Sequence, residues 1–299
     1  MADSITISIA DVILTIIVRG GMPVSDSDPV YDRFRVPTVP AASAHIEVDV
    51  TSQPVPGKEI ARYQRIFDSQ QSWSMWRDGS DRLLVLQPPA FAEPLWTARL
   101  NAGFTRVEIG CRPLAVPVSV QPYYPVRYPL DQLLLMHYLA GREGLIVHAA
   151  GVVIAGRGYI FPGRSGAGKS TLARQLAARA DWLQLSDDRV IVRKLNGELR
   201  AYGTPWPGEA GVAVNRGVPL GGVLFLQQAP MDEIRAMNPP AALPLLLPTA
   251  TVPWYDEELL GPVLSFCDHL VTGVPVARIS FRPTREIAHV LDAYLKNRS

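Results

Sequence analysis

The sequence predicts an α/β protein in two parts, a mainly β domain over residues 1–120 and a core of interleaved strands and helices over residues 121–299. Three observations carry this. Up to about Gly110, runs such as ITISIADVILTIIV, HIEVDV, RLLVLQ and RVEIG are β-branched or alternate apolar with polar, and Gly, Pro, Asn and Asp separate them. Five prolines then fall within the 17 residues from Pro113 to Pro129, which disfavours helix and marks a linker or domain edge. Beyond that point helical spacing and short apolar runs interleave around a glycine-rich loop, and the chain ends in a helical stripe.

The later elements follow in order. Leu130 to Leu139 has apolar residues at helical spacing, and GREG stops it. Strand-like runs resume at Leu145, and Tyr159–Phe161 reads as a strand leading into the loop. After the loop, Leu172, Ala173, Leu176, Ala177 and Ala180 give a helix one buried face. The segment WLQLSDD is an apolar run that ends in Ser186, Asp187 and Asp188, so both acids are expected at the carboxyl end of a strand. Ile287, Val290, Leu291, Tyr294 and Leu295 form the apolar stripe of a last helix, after Pro283 and Thr284. There is no internal repeat or low-complexity tract.

Bulk properties exclude several classes. A chain of 299 residues is comfortable for two domains. Its 29 basic and 28 acidic residues nearly cancel, which removes the electrostatic footprint that nucleic-acid binding needs. Cys111 and Cys267 are far apart and lack metal-ligand spacing, so they are expected as buried thiols. The apolar run Val12 to Val18 is too short to span a bilayer, and the segment before it carries Asp3 and Asp11 and no basic residue, unlike a secretory signal. The expectation is a cytoplasmic protein with no membrane partner; a homo-oligomer is admitted.

The glycine-rich loop fills the pattern GxxxxGKS with Gly163, Arg164, Ser165, Gly166, Ala167, Gly168, Lys169 and Ser170, and Thr171 follows. Glycines let the backbone bend so that successive amides face a phosphate, and the next helix adds its positive end. Lys169 then reaches the outer phosphates of a nucleotide such as ATP, and the Ser170 hydroxyl is placed to ligate magnesium. Two acids beside such a loop suit phosphoryl transfer to an alcohol, since one can hold the metal through water and the other can take the proton of the attacking hydroxyl.

The stretch VHAAGVVIAGRGYIFPGRSGAGKSTLARQLAARADWLQLSDDRVIV resembles the catalytic core of the HPr kinase/phosphorylase family, whose nucleotide fold is related to phosphoenolpyruvate carboxykinase. The resemblance covers about Leu145 to Tyr202 and implies a P-loop kinase core of that type. It places His148, Lys169 and Asp187 where the family has its catalytic histidine, loop lysine and catalytic aspartate. Asp187 would be the base that deprotonates the acceptor, with Asp188 beside it near the metal. His148 would either donate to a phosphate oxygen or orient Asp187. The turn YGTPWPGE, Tyr202 to Glu209, is similar to the TPW-x-GE turn of the broader HPr-kinase-related proteins, and Glu209 stands nearest to the family's metal-binding glutamate. Trp206 in that turn is expected as a buried anchor as much as a ligand contact.

The resemblance implies an ATP-dependent kinase that phosphorylates a hydroxyl, with serine of a peptide or protein as the favoured acceptor; a small molecule such as a free amino acid, and a slowly hydrolysing nucleotide switch, are the alternatives. A transport-type ATPase is disfavoured, because no LSGGQ-like signature occurs. The arginine and proline-glycine loop that such kinases use for phosphorolysis has no counterpart in SFRPTREIAHV, so phosphorylase activity is not supported. Arg278 and Arg282 are read as surface ion pairs in preference to phosphate ligands. Trp73, Trp76 and Trp96 are read as core residues in preference to the lining of a peptide groove.

Overall fold

The structure, a computed structural model, describes residues 3–19, 28–37, 44–112, 126–282 and 286–297. It is a mixed α/β protein with two large sheets and, among the described residues, six α-helices. It divides into two compact units, Met1–Tyr138 and Leu139–Ser299. Residues 113–125, which hold most of the proline-rich stretch and the expected boundary at 120, lie outside the described residues, as do Pro283 and Thr284.

The first unit is built on one eight-stranded sheet. Its strands are β1 (Asp3–Ile9), β2 (Val12–Val18), β3 (Ala44–Thr51), β4 (Gln64–Asp68), β5 (Trp73–Asp78), β6 (Asp81–Leu86), β7 (Trp96–Leu100) and β8 (Arg106–Cys111), and a single helical turn, α1 (Gly57–Ile60), lies between β3 and β4. They pair in the order β1-β2-β3-β8-β7-β6-β5-β4. The alternation in ITISI has a direct cause here, because Ile5, Ile7 and Ile9 are buried while Thr6 and Ser8 are only partly so. A two-residue turn closes this first hairpin, with Ala10 and Asp11 both left-handed at φ 54° and 57°, as a turn matching the strand twist requires. Trp96 is buried, as expected. Trp76 packs beside Ile60, Leu83 and Val85, and Trp73 stacks on Phe67 with ring centroids 4.7 Å apart; both indoles also line a surface hollow with Phe91.

The helix α2 (Leu130–Ala140) leads into the second unit, whose elements are β9 (Gly144–Ile154), β10 (Arg157–Pro162), α3 (Lys169–Leu176), β11 (Leu183–Ser186), β12 (Arg189–Leu195), β13 (Glu198–Tyr202), β14 (Gly217–Gln228), β15 (Glu233–Ala236), α4 (Pro239–Leu246), β16 (Ala250–Thr251), α5 (Glu257–Gly273), β17 (Val276–Phe281) and α6 (Ile287–Lys296). The order is β10-β9-β12-β13-β14-β17-β15, with β11 and β16 also on β9 and a further parallel pairing of β10 with β14. β9 changes partner along its length: residues 144–148 pair with β12, and residues 149–154 pair with β10. That switch brings the carboxyl end of β10 and the amino end of β12 to the same part of the sheet.

One core cluster joins the sheet to its helices. It contains Ala150, Val152 and Phe161 of the strands, Leu172, Ala173 and Leu176 of α3, Leu224, Ile279 and Phe281, and Ile287 and Leu291 of α6. Val290, Tyr294 and Leu295 pack against it, which completes the predicted stripe. The face expected on α3 is shorter in the structure: the helix ends at Leu176, and Ala177 and Ala180 are exposed. Alanine so near a helix end has little side chain to bury, so tertiary context overrides its propensity. Cys267 is buried and Cys111 only partly so; both are free thiols, pushed by burial up to about 12 and about 11. Among the described residues, no helix is long and apolar enough to cross a membrane.

Because Leu291 is fully buried in this cluster, Leu291→Ala should destabilise the second unit by about 2–5 kcal/mol, the cost of lost apolar burial plus a cavity. Urea unfolding of the full chain checks this, with the expected outcome a clear fall in the midpoint of the second unit's transition at unchanged slope.

Candidate functional site

β10 ends at Pro162, the loop occupies residues 163–168, and α3 begins at Lys169. The glycines are needed at two positions in particular. A Cβ on Gly168 would stand 2.8 Å from the Phe281 ring, and its φ of +98° is left-handed, so no other residue fits without strain. A Cβ on Gly163 would stand 2.8 Å from that of Ala167, because the chain turns tightly back on itself. The Gly163 amide donates to the His148 carbonyl at 3.3 Å, and the Gln228 side-chain amide donates to the Gly166 carbonyl at 2.9 Å, which ties the loop to β9 and to the end of β14. Arg164, Ser165 and Gly166 are exposed, and Ala167, Ser170 and Thr171 are partly so.

Lys169 is buried, and its ammonium donates to the carbonyls of Gly163 at 2.9 Å and Arg164 at 3.2 Å. Burial pushes the ammonium down; the Asp188 carboxylate offsets part of this, the Arg189 charge adds to it, and the net position is below the ordinary lysine value.

The two aspartates turn in different directions. Asp187 is 1% exposed, and its carboxylate accepts three backbone amides: Oδ1 from Gly208 at 2.9 Å and Val212 at 3.2 Å, and Oδ2 from Ala210 at 2.6 Å. Asp188 instead places Oδ1 2.9 Å from His148 Nε2 and Oδ2 3.4 Å from Arg189 Nε. The contact with His148 requires a proton on Nε2. Burial pushes the Asp188 carboxyl up, but the hydrogen bond from His148 and the charges of Arg189, His148 and Lys169 outweigh it and hold the group below the usual carboxylate value. The Ser186 hydroxyl accepts the Asp188 and Arg189 amides and shapes the turn between β11 and β12.

Glu209 is exposed, and it sits between the two residues, Gly208 and Ala210, whose amides hold Asp187. Trp206 of the same turn is 4% exposed, in keeping with the anchoring role, and the Thr204 hydroxyl donates to the Arg189 carbonyl at 2.7 Å. Arg282 is clamped by Asp232, through its guanidinium at 2.9 Å and its backbone amide at 2.7 Å, so the expected ion pair forms there. For Arg278 the expectation fails: the side chain is exposed and has no ion pair among the described residues. Arg285 lies outside the described residues.

The structure thus brings His148, Gly163, Lys169 and Asp188 together and directs Asp187 away from them into the 208–212 turn. Sequence reasoning missed Arg189 beside Asp188 and Gln228 on the loop. Neither carries a motif, and strand register alone delivers them.

Comparison with known proteins adds the following. The family model described as "ScmC: SynChlorMet cassette protein ScmC" matches residues 130–260, less than half of the chain. No curated protein matches the chain. Among solved structures, the chain is similar to the HPr(Ser) kinase/phosphatase from Coxiella burnetii, with a TM-score of 0.30 and 16% identity over 51% of this chain and 95% of that one.

Proposed function

We propose that the protein is an ATP-dependent kinase that transfers the γ-phosphoryl group to a hydroxyl. The observation that carries this reading is the joining of a glycine-rich loop and its lysine to a histidine-bound carboxylate, through the bond from the Gly163 amide to the His148 carbonyl and the attraction between Lys169 and Asp188.

The residues present fit the groups this requires. Gly163 and Gly168 let the loop turn tightly against Ala167 and Phe281 where a Cβ would clash, and a loop bent in this way can direct its amides at phosphate oxygens. Ser170 and Glu209 offer hard oxygens, the kind magnesium takes. Among the described residues no three His, Cys, Asp or Glu cluster as a self-sufficient metal site, so the phosphates and water must complete the coordination. Ser170, and Glu209 from the latched turn, are the residues that would hold magnesium; the ion, when bound, neutralises charge on the phosphates.

In this mechanism the amides of the loop and of the first turn of α3 bind the phosphates, with Ser165, Gly166, Ala167 and Thr171 contributing through the backbone. Lys169 moves from the Gly163 and Arg164 carbonyls to the terminal phosphate. The acceptor oxygen forms a bond to the γ-phosphorus, the bond from that phosphorus to the bridging oxygen breaks, and ADP leaves with the electron pair. The acceptor proton passes to a carboxylate, which we assign to Asp188; His148 orients it and keeps it ionised. Asp187 is assigned to hold the turn, since both its oxygens are already engaged. This reverses the pair of roles implied by the family resemblance.

The kinase reading is tested with the full chain, radiolabelled ATP, magnesium and a panel of serine-containing peptides and free hydroxy amino acids. Lys169→Ala should abolish transfer with the fold retained, and a folded variant working at the wild-type rate would sink the assignment. Asp188→Asn should lower turnover by at least about a hundredfold with ATP affinity within severalfold of wild type.

Asp187→Asn should behave otherwise, because its amide nitrogen would face a backbone amide with no acceptor. It should cost about 1–3 kcal/mol of stability, read as a lower unfolding midpoint that Asp188→Asn does not share. An unchanged midpoint together with abolished transfer in Asp187→Asn would restore it as the base.

The pH profile gives a separate check. With the Asp188 carboxyl held below the usual value, the acid limb of kcat/KM should lie below about 3.9, the value for a free aspartate. In His148→Ala the hydrogen bond that lowers it is lost while burial still raises it, so the limb should move to higher pH; a limb that stays put separates Asp188 from the ionisation that controls the rate.

A further inference from the structure

A chamber of about 380 Å³ opens beside the loop. Its walls are mostly apolar, supplied by Pro162, Phe225, Leu226, Pro244, Leu245 and Pro248, with Gln227 and Thr249 among them. Gly163, Arg164 and Ala167 bound it on the loop side, and Arg278 of β17 also lines it. Arg278 is opposite Phe225 in the pairing of β14 with β17, so both belong to the sheet face turned away from the cluster of Leu224, Ala277 and α3.

Two features fix what this chamber faces. The Lys169 ammonium rests on the carbonyls of Gly163 and Arg164, two loop residues that line the chamber, and in the kinase reading it travels from there to the terminal phosphate. The inner phosphates belong to the other end, at the amides of α3, and no α3 residue lines the chamber. A ligand in it would therefore lie beyond the terminal phosphate and away from the nucleoside.

The charge of the chamber decides the class of ligand. Arg282 is clamped by Asp232 and Arg235 by Glu233, whereas neither Arg164 nor Arg278 has an ion pair among the described residues. Arg164 belongs to the loop itself, whereas Arg278 lies on β17 and is left over to meet a second anion; a guanidinium meets a carboxylate in bidentate fashion.

We propose that this chamber is the acceptor site and that it takes a compound with a carboxylate on an apolar body, such as a hydroxy-bearing amino acid or the C-terminal residue of a peptide. This rests on the kinase reading and narrows its acceptor. The carboxylate pairs with Arg278, the apolar body contacts Phe225, Leu245 and Pro248, and the hydroxyl faces the loop. An internal serine of a folded protein, which has no free carboxylate there, is disfavoured.

The test uses N-acetyl-L-leucine, which has the apolar body and the carboxylate but no hydroxyl, so it does not depend on catalysis. Its binding to the full chain is measured by calorimetry, with N-acetyl-L-leucinamide as the neutral control. The acid should bind and the amide should bind at least about tenfold more weakly. Arg278→Gln should lose that discrimination, and Leu245→Trp, which fills the chamber, should weaken the acid about tenfold or more, both with ATP affinity within about twofold of wild type. Equal binding of acid and amide, no binding of either, indifference to both substitutions, or displacement of the acid by adenosine would overturn the proposal. If these binding results hold and Asp188→Asn transfers phosphate at the wild-type rate, the kinase assignment of Asp188 fails while the site stands.

Discussion

The burial of the Asp187 carboxylate is the constraint on which the rest of the site depends. An ionised carboxylate away from water is costly unless charge-assisted hydrogen bonds replace its hydration. Three backbone amides within five residues, Gly208, Ala210 and Val212, supply that replacement, and they can converge only if the 207–212 turn folds back over the end of β11. The turn thereby has one permitted position. Gly208 is part of the bargain, because a Cβ there would lie 2.9 Å from Asp187 Oδ2 and 3.1 Å from Asp188 Cβ. A side chain at 208 would therefore push on both aspartates at once.

From this fixed point the neighbouring groups take their places. Ser186 accepts the amides of Asp188 and Arg189, Thr204 caps the Arg189 carbonyl, and the Asp188 carbonyl accepts the Ala149 amide. Each bond joins a different strand end to the same few residues. The loop is held in turn by the Gly163 amide on β9 and by the Gln228 side chain at the end of β14, so its open shape does not rest on its own glycines alone. A phosphate cradle held in this way gives up little conformational entropy when a ligand arrives, which is the condition under which positioning contributes most to phosphoryl transfer.

Much of this architecture was legible in the sequence, and the part that was not has a physical reason. The strand, loop and helix around Lys169 follow from local pattern, because glycine placement and helical spacing are both local properties. The β character of the first strands and the last helix are legible for the same reason. The helix α3 ends earlier than its pattern predicts, since Ala177 and Ala180 fit a helix by propensity but are exposed. The roles of the aspartates were beyond any local reading. Asp187 is distinguished from Asp188 by amides more than 20 residues away, and the pairing of Arg189 with His148 is set by the register of β12 on β9. The missing ion pair at Arg278 was likewise invisible, because whether a surface arginine finds an acid depends on which side of β17 it leaves and on what the adjacent strands place there.

The adjacency of the two acids has its own logic. Asp187 and Asp188 lie in the bend between β11 and β12, and their carboxylates leave it in different directions, one to the 208–212 amides and the other to His148. The buried one is tolerable only with amides to meet it. A single acid at position 188 would lack the latch that its neighbour supplies. With Asp187 bound to the turn, the backbone of Asp188 is held from one side by that latch and from the other by the Ala149 amide. Its side chain then reaches His148 without a search, and the ordering entropy that a free aspartate would lose on meeting a substrate has been met by folding instead. The pair therefore works as a unit in which the first acid fixes the direction of the second.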